Sequence, residues 1–126
     1  MHHVIIVGGG SGNRFASDIP KQFHLLAGKP VLMHTINAFT QAFPQIQVHV
    51  VLNVHHHELW EKLCISHSFS TPHQLIKGGS TRFQSVKNGL KDIPNTAIVA
   101  VHDAVRPLID IAIIQQAFTT AEALGN

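Results

Sequence analysis

Short, nearly continuous apolar runs alternate along this chain with longer stretches that are apolar at every third or fourth position. Val4–Val7 is four β-branched residues in succession, and Gln47–Val54 (QVHVVLNV) and Ala97–Val101 (AIVAV) are similar runs. Such runs read as strands covered on both faces. A shorter strand is predicted over His73–Lys77. The spacing predicts a helix over Val31–Phe43, with its stripe at Val31, Leu32, Ile36, Phe39 and Phe43, opened after Pro30 and closed by Pro44. Further helices are predicted over Glu58–His67, beginning near His55, and over Thr81–Ile93, with Ser80 as N-cap and a stripe of Phe83, Val86, Leu90 and Ile93. The last spans Asp110–Leu124, capped by Asp110 and ended by Gly125. Strands alternating with helices imply an α/β fold: a doubly wound, mostly parallel sheet with helices on both faces and ligands at the carboxyl ends of the strands.

Polar chemistry gathers at those strand ends. After Val4–Val7 comes Gly8–Lys21, GGGSGNRFASDIPK, with four glycines in its first five positions. Without Cβ atoms, successive backbone N–H groups can turn onto an anion. Arg14 and Lys21 place two cations at the far end, and Pro20 keeps a helix from extending back through the loop. The dinucleotide fingerprint fails in register, because its third glycine position is Asn13. The P-loop pattern fails because Gly12 is followed by Asn13-Arg14. The segment therefore reads as a triphosphate loop of a third kind.

A second junction, Lys77-Gly78-Gly79-Ser80-Thr81-Arg82, enters the helix that carries Ser85. Paired glycines before a helix N-terminus are expected to expose free N–H groups, suited to phosphate or to the edge of a base. The third junction, His102-Asp103-Ala104-Val105-Arg106-Pro107, follows AIVAV. An acid there with an arginine three residues on can hold a metal–phosphate complex and a second anionic substrate.

Composition narrows the alternatives. With 126 residues the chain is at most one domain, and 44% hydrophobic against 13% charged content suits a compact α/β core. A net charge of +2 with scattered lysines gives no nucleic-acid footprint. No apolar run reaches the roughly 18 residues of a membrane span, and the first strand begins too early for a signal peptide. The single cysteine, Cys64, reads as a buried thiol in a reducing cytoplasm. Eleven histidines, among them His2-His3 and His55-His56-His57, show no metal-ligand spacing.

Taken together, Gly10-Ser11-Gly12-Asn13-Arg14, Pro20-Lys21-Gln22-Phe23, Gly78-Gly79-x-x-Arg82-x-x-Ser85-Val86 and His102-Asp103-Ala104-x-Arg106-Pro107 resemble the 2-C-methyl-D-erythritol 4-phosphate cytidylyltransferases of the non-mevalonate isoprenoid pathway. The resemblance covers the chain from Val4 onward and implies a Rossmann-like nucleotidyltransferase fold. Members of that family run to well over two hundred residues. Residues 1–126 are therefore expected to form a single CTP-binding domain, the N-terminal portion of a longer, truncated unit.

The resemblance implies the following roles. Arg14 and Lys21 match the catalytic positions that stabilise charge on the α-phosphate. Gly8, Gly9, Gly10, Ser11, Gly12 and Asn13 match the loop around the CTP phosphates. Gly79, Ser80, Arg82 and Ser85 fall on nucleotide-binding positions, where Gly79, Ser80 and Ser85 read cytosine. Asp103 and Arg106 match positions near the acceptor substrate and Mg2+, with Asp103 the candidate metal ligand. The family more often has Ala-Ala where this chain has Gly8-Gly9. Expected partners are CTP and a polyol phosphate, with neither nucleic acid nor membrane, in a cytoplasmic homodimer whose dimer arm lies outside these residues. Two alternatives stand beside this reading: a cytidylyltransferase for ribitol 5-phosphate, and a nucleotide-binding domain without turnover. Ser85-Val86 after Arg82 leans towards the methylerythritol enzyme. The implied nucleotide contacts all precede residue 107, so the chain alone is expected to bind CTP and to turn over poorly.

Overall fold

A computed structural model describes residues 2–8, 19–105 and 111–123. The elements in chain order are β1 (His2–Val7), the two-residue strands β2 (Leu25–Leu26) and β3 (Lys29–Pro30), α1 (Val31–Ala42), β4 (Gln47–Leu52), α2 (His57–Ser66), β5 (Gln74–Lys77), α3 (Arg82–Leu90), β6 (Ile98–Asp103) and α4 (Ile111–Ala123). The main sheet has the order β5-β4-β1-β6, and every pairing in it is parallel. From β1 the chain steps outward to β4 and β5, then returns to the other side of β1 to lay down β6. The winding direction thus reverses between β1 and β6, the point at which doubly wound sheets form their ligand crevice at the strand ends.

The β-branched run explains why β1 is central. Val4 and Ile6 face α1, α2 and α4, in a core with Leu32, Ile36, Phe39, Trp60, Ile114 and Phe118. Ile5 and Val7 face the opposite side with Val51 and Ile93, against Val86 of α3. The expected helices on both faces are therefore present, three on one and α3 on the other. Each fully buried aliphatic side chain contributes about 1.5–3 kcal/mol, and Val4, Ile5 and Ile6 are all fully buried.

Several expectations need correction. β4 ends at Leu52, not Val54, because the Asn53 side chain accepts a hydrogen bond from His55 N–H at 2.9 Å and turns the chain into a short 3-10 segment, Val54–His56. The cap of α3 is Thr81, not Ser80; its Oγ1 accepts from Gln84 N–H at 3.0 Å. The predicted stripe of that helix is also displaced. Phe83 is 75% exposed and Leu90 is exposed, while Ser85 and Gly89 are buried and Val86 packs on the sheet. Small residues let α3 lie close on the strands, so its contact face is not its most apolar one. β6 runs on to Asp103, which is its last paired residue and not the first residue of a loop. The β2–β3 hairpin, turned through Ala27 and Gly28 at φ 54° and 82°, carries too little periodicity to be read from sequence. The Asp110 cap and the end signal at Gly125 lie outside the described residues.

β1 also begins two residues earlier than expected, and histidine packing is the reason. His3 Nδ1 lies 2.9 Å from His49 Nε2 on β4, and the two rings stack. Both residues are buried, and among the described residues His3 Nε2 and His49 Nδ1 make no hydrogen bond of ordinary geometry. Burial pushes both pKa values below the ordinary 6.5. For His3, the charges of His49, the N-terminus and His2 push the same way. For His49, the Gln74 side chain, which can accept from the charged ring, and the carboxylate of Asp92 oppose the shift in part. The folded protein therefore resists protonation that the unfolded chain accepts. Stability should be full above pH 6.5 and fall as pH drops through that value towards the lower folded-state pKa. Urea midpoints at pH 7.5 and 5.5 check this: the wild type should be weaker at pH 5.5, and the gap should narrow in His3→Leu/His49→Leu. An equal gap in the variant would place the pH dependence elsewhere.

Candidate active site

Three backbone hydrogen bonds continue the sheet ladder beyond its strands. Gly8 N–H donates to Val51 O at 2.9 Å, Gly78 N–H to Leu52 O at 2.8 Å, and Ala104 N–H to Val7 O at 2.9 Å. The three polar junctions seen in the sequence therefore leave the sheet at one level, around the end of β1. Val7 and Asp103 are register partners there. The third junction is also held from below, since the buried Thr35 of α1 donates to Ala104 O at 3.0 Å.

Gly8 sits under a tight roof. A Cβ on it would stand 2.4 Å from Leu52 Cδ2 and 3.2 Å from Gln22 Nε2. The next residues of the loop, Gly9, Gly10, Ser11, Gly12, Asn13 and Arg14, lie outside the described residues, as does Arg106. Their expected roles therefore stay with the sequence argument.

The second junction is organised differently from the expectation of free glycine N–H groups. Gly78 N–H is taken by Leu52 O, and Gly79 N–H donates to the Ser85 Oγ at 3.0 Å. Ser85 is buried, so its hydroxyl fixes the shape of the turn. A Cβ on Gly79 would fall 2.2 Å from Gln84 Cγ, which explains why the turn can close so tightly only on glycine. Asn88 completes the clamp: its Nδ2 donates to Lys77 O at 2.9 Å, and its Oδ1 accepts from Gln84 Nε2 at 3.0 Å. Ser80 is exposed at the entrance to α3.

Charge reaches across the crevice through Arg82, the first residue of α3. Its Nη2 donates to Asp103 Oδ1 at 3.2 Å. Both side chains are substantially exposed, so the pair adds at most about 1 kcal/mol; its effect is to hold the two junctions at a fixed separation. Asp103, the residue the sequence reading assigns to Mg2+, has one carboxylate oxygen engaged by Arg82. Mg2+ keeps most of its ligands as water and phosphate oxygens and needs one or two carboxylates. Among the described residues no group of three His, Cys, Asp or Glu side chains is placed to cage a metal.

Lys21 opens a 3-10 turn, Lys21–Phe23, whose other two side chains point inward. Phe23 stacks on Trp60 with ring centroids 5.8 Å apart and meets His56 edge-on. Gln22 is buried beside Gly8. The exposed lysine is therefore mounted on a rigid base next to the glycine junction. Cys64 takes no part: burial, reinforced by Glu61, pushes its thiol up to about 11. His102 packs edge-on against Phe39.

The model of one protein family, IspD: 2-C-methyl-D-erythritol 4-phosphate cytidylyltransferase, matches residues 2–125. The chain belongs to that family. A 2-C-methyl-D-erythritol 4-phosphate cytidylyltransferase of Porphyromonas gingivalis is 48% identical over 123 residues, covering 98% of this chain and 54% of the relative. The namesake from Bacteroides thetaiotaomicron is 46% identical over 119 residues, covering 94% of this chain and 54% of its own length. The chain thus spans about half the length of the curated relatives it matches. The crystal structure of 4-diphosphocytidyl-2C-methyl-D-erythritol synthase from Anaerococcus prevotii superposes with a TM-score of 0.73 at 21% identity, over 100% of this chain and 51% of that one. The bifunctional IspDF of Campylobacter jejuni gives a TM-score of 0.75 at 22% identity, over 97% of this chain and 31% of that one. These likenesses support the nucleotidyltransferase form of the doubly wound fold.

In this member of the 2-C-methyl-D-erythritol 4-phosphate cytidylyltransferase family, sequence reasoning missed Leu52, Gln22 and Thr81. Gln22 stood inside a quoted motif, between Lys21 and Phe23, but nothing in the motif says which way its amide points. Leu52 carried no signal beyond being apolar. Its contact with residue 8 yields a prediction. Gly8→Ala should cost about 1–3 kcal/mol through overpacking. The cost should shrink in a Leu52→Val background, giving a coupling of roughly 0.5 kcal/mol or more in a denaturant double-mutant cycle. Strictly additive costs would show that Leu52 is not the obstacle.

Proposed function

We propose that the protein transfers CMP from CTP to 2-C-methyl-D-erythritol 4-phosphate, releasing pyrophosphate and giving 4-diphosphocytidyl-2-C-methyl-D-erythritol. Family membership supplies the reaction. The observation that carries it to this chain is the meeting of three polar junctions at the point where the sheet reverses, with Gly8, Gly78 and Ala104 pinned at one level. We carry a cytoplasmic location and a homodimeric assembly as parts of the same proposal, supported by the family likeness alone.

The chemistry asks little covalent work of the protein. An oxygen of the acceptor phosphate forms a bond to the α-phosphorus of CTP, and the bond to the bridging oxygen breaks as pyrophosphate leaves. Catalysis then consists of alignment and neutralisation of charge. In this reading Gly8 through Asn13 wrap the phosphates, while Lys21 and Arg14 meet the charge that builds on the α-phosphate. Lysine acts there as a point charge and arginine as a fork. Gly79, Ser80 and Ser85 are assigned to the cytosine. Because the Gly79 N–H and Ser85 Oγ bond each other, the groups left to read the base there are the Gly79 carbonyl, the Ser85 hydroxyl proton and Ser80. Arg82 holds the far side of the nucleotide, while Asp103 and Arg106 lie by the metal and the acceptor phosphate. Mg2+, which Asp103 would hold, supplies charge neutralisation on the non-transferred phosphate oxygens.

Titration calorimetry with CTP, UTP, ATP and GTP in the presence of Mg2+ should show CTP bound most tightly; preference for a purine nucleotide would defeat the cytidine reading. Pyrophosphate release should be faster with methylerythritol phosphate than with ribitol 5-phosphate, and the reverse order would reassign the acceptor. In the catalytically competent protein, Lys21→Ala should lower kcat and kcat/KM together by roughly 10²–10³-fold, about 2.7–4 kcal/mol. An unchanged kcat with a raised KM would make Lys21 a binding residue only.

A further inference from the structure

Gln22 is a buried polar side chain beside the end of β1, 2% exposed, and its Nε2 has no hydrogen-bond partner among the described residues. Leaving a buried amide donor unpaired is costly, and such groups are rare in native folds. A leucine or methionine would fill the same space without that cost. The backbone that carries this amide is fixed: Phe23 is stacked on Trp60, and the turn is closed by Phe23 N–H donating to Pro20 O at 2.9 Å and His24 N–H to Lys21 O at 3.1 Å. The unpaired donor is therefore held in one place.

That place is the end of β1. The amide nitrogen lies 3.2 Å from where a Cβ on Gly8 would stand, and Gly8 carries none. The Leu52 Cδ2 methyl stands 2.4 Å from that same point, so a ligand oxygen reaches the amide there only if this methyl rotates aside. Lys21, one residue earlier, is exposed on the same turn.

We propose that Gln22 is a substrate-binding residue whose Nε2–H donates to a phosphate oxygen of the bound nucleotide across the bare α-carbon of Gly8. The inference rests on the nucleotide-binding reading above and adds to it a donor that no charge or glycine pattern signals. An uncharged, immobile donor beside a mobile lysine divides the work: the amide fixes where one phosphate oxygen sits, and the lysine supplies charge. The unpaired state of the amide is then the cost of keeping the donor ready, so binding and stability should respond in opposite directions when it is removed.

The test combines Gln22→Met, which keeps length and apolar bulk, with the wild-type protein labelled with 15N. Thermal unfolding without ligand should show the variant at least as stable as wild type, because a buried unpaired donor has gone. Calorimetry with Mg2+–CTP and with inorganic triphosphate should show it binding both about tenfold more weakly. In wild-type spectra the Gln22 side-chain NH2 pair should move on addition of either probe, a readout that needs no variant to fold. Equal affinity in wild type and variant, or an NH2 pair unmoved by both probes, would overturn the proposal while leaving CTP binding intact. An NH2 pair that moves with triphosphate, in a protein that shows no preference for CTP, would support the role of Gln22 and defeat the cytidine reading.

Discussion

The burial of β1 on both faces is the constraint on which everything else depends. Its β-branched run can be satisfied only if helices cover both sides and a strand pairs along each edge. The protein meets that demand with β4 and β6 as neighbours and with three helices opposed to one. Once β1 is enclosed in this way, the residues leaving the three strand ends inherit its hydrogen-bond register. Gly8, Gly78 and Ala104 are placed by the backbone ladder before any side chain contributes. These three junction residues are therefore placed as firmly as the sheet itself.

Side chains then refine that placement through bonds that stay within the protein. Ser85 takes the Gly79 N–H, Asn88 takes the Lys77 carbonyl, and Thr35 takes the Ala104 carbonyl. Groups that a motif reading offers to a ligand are spent here on holding the turn. Preorganisation of this kind lowers the entropy lost when a ligand binds, because the turn has one shape beforehand. Arg82 and Asp103 add a charged link at the rim, where solvent screens it and geometry matters more than energy.

Much of this was legible in the sequence, and the exceptions share a cause. Continuous apolar runs marked β1 and β4, and the helical stripe of α1 ended within a residue of its prediction. The glycine pairs marked the junctions. What failed was any inference that needed the distance between two surfaces. The α3 stripe pointed to Phe83 and Leu90, yet close approach to the sheet selected Ser85 and Gly89. His3 read as a polar residue ahead of a strand and is instead paired inside it with His49. Periodicity reports which residues are apolar; it does not report how near a helix can come, or that two histidines can bury each other. Gly79 N–H shows the same limit on the functional side, since its partner Ser85 lies six residues away across a helix start.

The topology also fixes an order of assembly. β1 precedes both of its neighbours in the chain and lies between them, so it must wait for each. Val7 pairs with Val51 on one edge and with Asp103, 96 positions along the chain, on the other. Loop-closure entropy favours the nearer partner, and parallel pairings over such separations are slow to form. The β1–β4 edge can close while β6 is still unmade, leaving the other edge of the most apolar strand unpaired in the meantime. The crevice lies on that second edge. Its geometry depends on the pairing that joins the two most distant partners of β1, so the Val7–Asp103 contact comes into place only after the 96 positions that separate them have been laid down.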